Sequence, residues 1–198
     1  MSSAPHTEPI SIPDYLAGEQ SAKRKHEYVD GVVYAMVGAT NSHNRIATNA
    51  TGVLHSQLRG QPCQVFNSDT KIRVRQSRGT RFYYPDLSVS CRPNPPNDTF
   101  QDAPIVIVEV LSDSTRRVDE REKMEAYLSI DSLCVYILIE QSTATAQLYR
   151  RLDSGFARES YTGFESVIPL SEIDCRLPLV EVYDQVEFPP PEIDDWQE

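Results

Sequence analysis

One residue in one short run constrains this chain more than any other feature. Ile105 to Leu111 is apolar throughout except for Glu109, and an unbroken apolar run of that length reads as a strand covered on both faces. A carboxylate inside such a strand is costly unless a cation or a proton matches it. The chain must therefore build a layered sheet and also bring a positive partner to Glu109.

A second acid stands out in Tyr84-Pro85-Asp86-Leu87-Ser88-Val89-Ser90-Cys91. Asp86 starts a strand whose alternation puts Leu87, Val89 and Cys91 on one face and Asp86, Ser88 and Ser90 on the other. Pro85 has no N–H to give to a ladder and is expected at a bulge or an edge. Val65 to Val74 and Phe82 to Cys91 read as two adjacent strands. Adjacent placement of the Asp86 strand and the Glu109 strand brings both acids to one end of a sheet.

The remaining elements are read from periodicity. Asp30-Gly31, inside the Val- and Tyr-rich stretch His26 to Val37, predicts a β-hairpin with a two-residue turn. Ile12 to Leu16 reads as a short helix entry. Ile46, Ala50, Val53, Leu54 and Leu58 recur at helical intervals after Asn41-Ser42, with Gly60 as the stop. Arg116 to Leu128 forms a second long helix, Leu133 to Ile139 a buried strand, and Ala146 to Arg151 with Arg158 to Tyr161 further antiparallel strands. The order implies an α/β (α+β) fold with a mixed central sheet flanked by helices and an N-terminal β-hairpin. One domain is expected over 14–188, between an N-terminal extension at 1–13 and an acidic tail at 189–198, where Trp196 lies.

Composition bears on partners and compartment. The net charge of −10 argues against a phosphate partner, but from Glu181 onward the chain has acids and no Lys or Arg, so much of the acidity is a tail. Lys71, Arg73, Arg75, Arg78 and Arg81 form a basic stretch that reads equally as a phosphate-tracking surface or as a solvated hairpin face. No run approaches a membrane span and no leader pattern is present, so a cytoplasmic protein without a membrane partner is expected. The four cysteines are scattered without CxxC spacing, and Cys63, Cys91 and Cys134, in or beside apolar strand-like runs, read as free buried thiols.

Paired carboxylates suit a hard divalent ion such as Mg²⁺, with Mn²⁺ as a substitute, because such ions take one or two protein oxygens and complete their shell with water and phosphate. A lysine would add charge stabilisation. Lys123, on the helix after Glu109's strand and one turn from Tyr127, is the first candidate. Blander readings stand beside these. Asp86 would fix the turn after Pro85, Glu109 would pair with Arg116 or Arg117, and Lys123 would pair with Asp119 on a solvated helix face.

These residues carry a resemblance. Tyr84-Pro85-Asp86, then Ile107 to Ser112 with Ser114-Thr115, then Asp119, Lys123 and Tyr127, resemble the Uma-type family of restriction-endonuclease-like proteins. Glu27 to Gly31, Met36, His43, Val65-Phe66 and Ser68-Asp69 extend the match, which covers roughly Tyr15 to Tyr149. The resemblance implies a nuclease core of the PD-(D/E)XK superfamily, Mg²⁺ between Asp86 and Glu109, and hydrolysis of DNA phosphodiesters by metal-activated water, with a homodimer as the expected assembly. It adds Glu27 as a further ligand or supporting carboxylate, although Glu27 also reads as a surface partner of Lys25 or Arg45. It adds His43 near bound water or phosphate, although a His there also reads as a cap or loop residue. In the superfamily pattern a Lys lies two positions after the Glu, and here that position is Leu111. Lys123 is the first substitute and Lys71 the second. The competing reading is a binding or assembly module that keeps the nuclease fold without the reaction.

Overall fold

The computed structural model describes residues 8–77, 79–112, 116 and 118–188. Arg78, Asp113, Ser114, Thr115, Arg117, most of the expected N-terminal extension and the expected acidic tail with Trp196 lie outside the described residues.

The chain starts with helix α1 (Ile12–Ser21), capped by the Ser11 hydroxyl, which accepts from the Asp14 N–H. Strands β1 (His26–Val29) and β2 (Val32–Ala35) form the expected hairpin. Its two turn residues, Asp30 and Gly31, have φ of 50° and 100°, as a two-residue hairpin turn of this kind requires. Helix α2 (Asn41–Leu58) buries Ile46, Ala50, Leu54 and Leu58 along one stripe.

The two strands expected over 65–74 and 82–91 are in fact four. They are β3 (Gln64–Asn67), β4 (Lys71–Gln76), β5 (Gly79–Tyr83) and β6 (Leu87–Ser90). An Asx-type turn explains the first break, with Asp69 N–H donating to Asn67 Oδ1 and Thr70 N–H to Asn67 O. Tyr84-Pro85-Asp86 makes the second. The chain changes sheets at each break, so Pro85 stands in a crossover rather than in a ladder.

After β7 (Phe100–Gln101) comes β8 (Val106–Leu111), buried at every residue. A π-helical turn (Val118–Lys123) leads into α3 (Met124–Leu128) and then β9 (Val135–Glu140). Strands β10 (Thr145–Leu152) and β11 (Gly155–Thr162) form a second hairpin. The last elements have no clear mark in the sequence pattern: β12 (Val167–Leu170), a 3-10 turn (Ser171–Ile173), β13 (Cys175–Pro178) and α4 (Leu179–Val182).

The main sheet runs β11-β10-β9-β8-β6-β3, and a second sheet runs β2-β1-β5-β4-β7. β8 and β9 are parallel neighbours, β6 and β8 antiparallel. Parallel neighbours need a crossover, and the helical segment 118–128 supplies it. Alternation along β8 then decides what meets what. Val106, Val108 and Val110 pack with the α2 stripe, whereas Ile107 and Leu111 join Tyr127, Tyr83 and Ile72 on the α3 side. Glu109 has the parity of Ile107 and Leu111, so it enters the α3 side of the sheet.

Cys63 and Cys91 correct the free-thiol expectation. They flank the paired ends of β3 and β6, where Gln64 faces Ser90, and are joined by a disulfide. Register set by the two strands brings them together, which sequence spacing does not reveal. Cys134 and Cys175 are free.

Candidate functional site

Adjacent strands place the two acids. Asp86 precedes β6, Glu109 lies on β8, and Leu87 is paired with Val108. Each carboxylate accepts from the main chain beside the other: Asp86 N–H donates to Glu109 Oε2 at 3.3 Å and Val110 N–H donates to Asp86 Oδ2 at 2.7 Å. Glu109 is 3% exposed. Its other oxygen accepts from the Tyr127 hydroxyl at 3.3 Å and lies 3.5 Å from Lys123 Nζ.

Lys123 is buried, not on a solvated face. Its ammonium lies 3.0 Å from Glu27 Oε1 and 3.3 Å from Asp119 Oδ1, in addition to Glu109. The Asp119 contact is at ion-pair distance without hydrogen-bond alignment. The wide π turn ends at Lys123, so Asp119 and Lys123 both face the sheet instead of pairing in water. Arg116, the alternative partner for Glu109, instead pairs with Glu140 at 2.6 Å and Glu120 at 3.2 Å.

Glu27 reaches the cluster from β1 and pairs with neither Lys25 nor Arg45 among the described residues. Its Oε1 also accepts the Tyr84 N–H at 3.3 Å. His43 occupies the first turn of α2; its N–H donates to the capping Thr40 hydroxyl, and its ring Nε2 lies 3.3 Å from Asp86 Oδ2. The ring nitrogen Nδ1 is buried with no hydrogen-bond partner among the described residues.

Three carboxylates, Glu27, Glu109 and Asp119, thus face one ammonium, and Asp86 stands beside them through its link to Glu109. Burial raises the Glu109 carboxyl well above the usual carboxylate range, with Lys123 opposing that rise. Burial alone would lower Lys123, but Glu109, Glu27 and Asp119 outweigh it and hold the ammonium charged. Burial likewise pulls His43 down, and its hydrogen bond to Asp86 together with the Asp86 charge more than offsets this, so the imidazole pKa is raised.

The cluster opens into a cleft of about 330 Å³ whose lining includes Lys25, Ser68, His43, Asp86, Glu109 and Lys123. Among the described residues no group of three or more His, Cys, Asp or Glu side chains is placed to hold a metal ion. Lys71 stands apart from the acid cluster. It is 4% exposed and donates to the Tyr84 hydroxyl at 3.1 Å.

Among the described residues the basic stretch does not form a free phosphate-tracking face. Arg73 makes two 2.7 Å bonds to Asp102, Arg81 pairs with Asp30, and Lys71 is buried, which leaves Arg75 as its exposed member among the described residues. Basic groups at the cleft come instead from Arg24 and Lys25. Asp119 and Tyr84 stand in the motifs of the resemblance without an assigned role, and both contact the cluster. The i,i+4 spacing of Asp119 and Lys123 was the available signal, and it pointed to a surface pair.

A mixed sheet between helices, with this acid and lysine cluster at its end, defines a restriction-endonuclease-like domain. The Uma2 family, described as "Putative restriction endonuclease", matches residues 12–178, and the chain belongs to it. Two proteins of Synechocystis, both named as uncharacterized, are similar. One is 34% identical over 147 residues, covering 74% of this chain and 76% of its own, and the other is 29% identical over 149 residues, covering 74% and 83%. In three dimensions the chain is similar to a crystal structure described as a putative nuclease belonging to DUF820 from Anabaena variabilis. The TM-score is 0.71 at 17% identity, over 88% of this chain and 98% of that one, a likeness of fold. Among the described residues no helix is long and apolar enough to cross a membrane.

Proposed function

We propose that this chain is a Mg²⁺-dependent endonuclease that hydrolyses DNA phosphodiesters, with Asp86 and Glu109 as metal ligands. One observation carries the reading: two acids from adjacent strands meet at a cleft with Lys123 Nζ 3.5 Å from one of them. The donor set fits the ion. Hard carboxylate oxygens are in excess of the single ammonium, and an incomplete cage suits Mg²⁺, which keeps water and phosphate in its shell.

When bound, Mg²⁺ supplies Lewis acidity toward a phosphate oxygen and lowers the pKa of a coordinated water. The chain's own groups do the rest. Lys123, held charged by three acids, adds positive potential beside Glu109 where charge builds on the phosphate. Glu27 and Asp119 keep that ammonium in place, and His43 orients Asp86 from α2. Arg24 and Lys25 provide cationic lining for the incoming backbone. Leu111 needs no replacement by lysine, because the ammonium arrives from the helix. Cutting both strands of a duplex calls for two such sites, and a homodimer belongs to this reading; light scattering measures it.

The test is cleavage of supercoiled DNA by the purified chain. Nicking with Mg²⁺ or Mn²⁺ that stops in EDTA and in Asp86→Asn is expected. Cleavage that persists in excess EDTA, or that survives the substitution, overturns the assignment.

A further inference from the structure

We propose that Tyr84 is a positioning residue: its hydroxyl, clamped between Lys71 and Glu19, fixes the Tyr84-Pro85-Asp86 crossover and so sets both Asp86 and Glu27. The proposal deepens the metal-site reading above and rests on it for its catalytic meaning.

The clamp draws on three elements besides the crossover. Tyr84 is 5% exposed, accepts from Lys71 Nζ of β4 at 3.1 Å and donates to Glu19 Oε2 of α1 at 2.7 Å. An ammonium only donates and a carboxylate only accepts, so the hydroxyl has one orientation that satisfies both. Glu19 is itself fixed by His26 of β1, through the backbone N–H at 3.2 Å and ring Nδ1 at 2.7 Å. The Lys71 ammonium also lies 5.0 Å from the centre of the Tyr84 ring. Among the described residues Lys71 has no carboxylate within ion-pair reach, so the buried ammonium depends on Tyr84.

The backbone end of the same residue faces the site. Tyr84 N–H donates to Glu27 Oε1, the oxygen that lies 3.0 Å from Lys123. Two residues on, Asp86 N–H donates to Glu109 Oε2. Pro85 between them has φ locked at about −65°, which removes one of the torsions that separate the two donors. Anchoring the ring therefore aims one peptide donor at each of two site carboxylates and sets where the Asp86 side chain begins. Lys71, on this view, acts through Tyr84 and does not meet the phosphate.

The experiment compares wild type, Tyr84→Phe, Lys71→Met and Lys71→Arg in the full chain. It uses Mn²⁺ calorimetry, the ¹⁵N–¹H resonance of Val110, whose N–H reports the placement of Asp86, and steady-state cleavage. Tyr84→Phe is expected to weaken Mn²⁺ binding about 10-fold, the lower end for loss of an outer partner, and to move the Val110 resonance. It lowers kcat with KM for DNA little changed. Lys71→Met changes the same readouts in the same direction and Lys71→Arg recovers part. Unchanged Mn²⁺ affinity and an unmoved Val110 resonance in Tyr84→Phe overturn the proposal, as does a Lys71→Met that loses kcat with both unmoved. Should Tyr84→Phe fail to fold, Glu19→Gln keeps the shape and carries the same readouts. A wild-type chain that binds no Mn²⁺ overturns the metal reading alone, and the Val110 resonance still decides whether Tyr84 positions Asp86.

Discussion

Asp86 and Glu109 are tied together through main-chain donors: the Asp86 N–H reaches Glu109 Oε2, while the N–H of Val110, the residue after Glu109, reaches Asp86 Oδ2. Each acid thus has one oxygen fixed by the strand that carries the other. The pair is preorganised by sheet register, and substitutions at one acid will be felt at the other.

Thermal stability reports ion binding without any substrate. At Mg²⁺ near 100 times its Kd, stabilisation of about 2.7 kcal/mol is expected. EDTA should reverse the shift, and Asp86→Asn and Glu109→Gln should lack it. An equal shift in those variants would mean that the ion binds elsewhere.

Lys123→Met leaves Glu109 buried without its cation. Removing one partner of a buried pair costs about 3–5 kcal/mol, measurable by urea unfolding, and cleavage should be lost as well. The Glu109 pKa is already raised in the folded chain, so its folded form favours the proton and gains stability relative to the unfolded chain as pH falls. The variant's deficit should shrink on acidification. A deficit that does not change with pH would argue against an unpaired Glu109 as the cause.

The Arg73 and Asn94 hydrogen bonds hold the Asp102 carboxyl below the usual carboxylate range, against the opposing effect of burial. A lowered folded pKa contributes stability that is present above the unfolded value of about 3.9 and is lost as pH falls through the folded one. With Asp102 28% exposed, about 1 kcal/mol is expected after screening. Arg73→Met should flatten this acid limb of the stability profile below the unfolded value of about 3.9.

The disulfide closes a loop spanning a sequence separation of 28. Reduction should lower stability by about 3.6 kcal/mol on the loop-entropy account, and Cys63→Ser with Cys91→Ser should reproduce the loss. Alkylation before reduction should label Cys134 and Cys175 and spare the bridged pair.

Much of this architecture is legible in the chain because local chemistry and tertiary role agree. Asp30-Gly31 demands the turn it makes, and the apolar run around Glu109 demands cover on both faces. The errors arise where a decision is made at a distance. Val65 to Val74 carries β-forming residues on both sides of Asn67-Ser68-Asp69, yet those turn residues mark the point at which the chain leaves one sheet for another. The i,i+4 spacing of Asp119 and Lys123 is the same for a surface pair and for a buried one. What separates the two is Glu27 and Glu109 arriving from other elements. The Cys63–Cys91 bridge and the pieces after Gly163 likewise depend on which strands become neighbours.

Carrying the ammonium on the helical segment 118–128 rather than at Leu111 divides labour between two parts of the chain. Strand β8 can remain a fully apolar spine apart from Glu109, so its neighbours accept conservative hydrophobic exchange without disturbing the charge balance. The helix is held against that strand by Ala126 and Tyr127, which are buried with Ile107 and Leu111, so packing as well as charge sets where the cation sits. Redesign of this protein would therefore have two handles, one for rigidity in the sheet and one for electrostatics in the turn that ends at Lys123, coupled through the buried contacts of Glu109 with Lys123 and Tyr127.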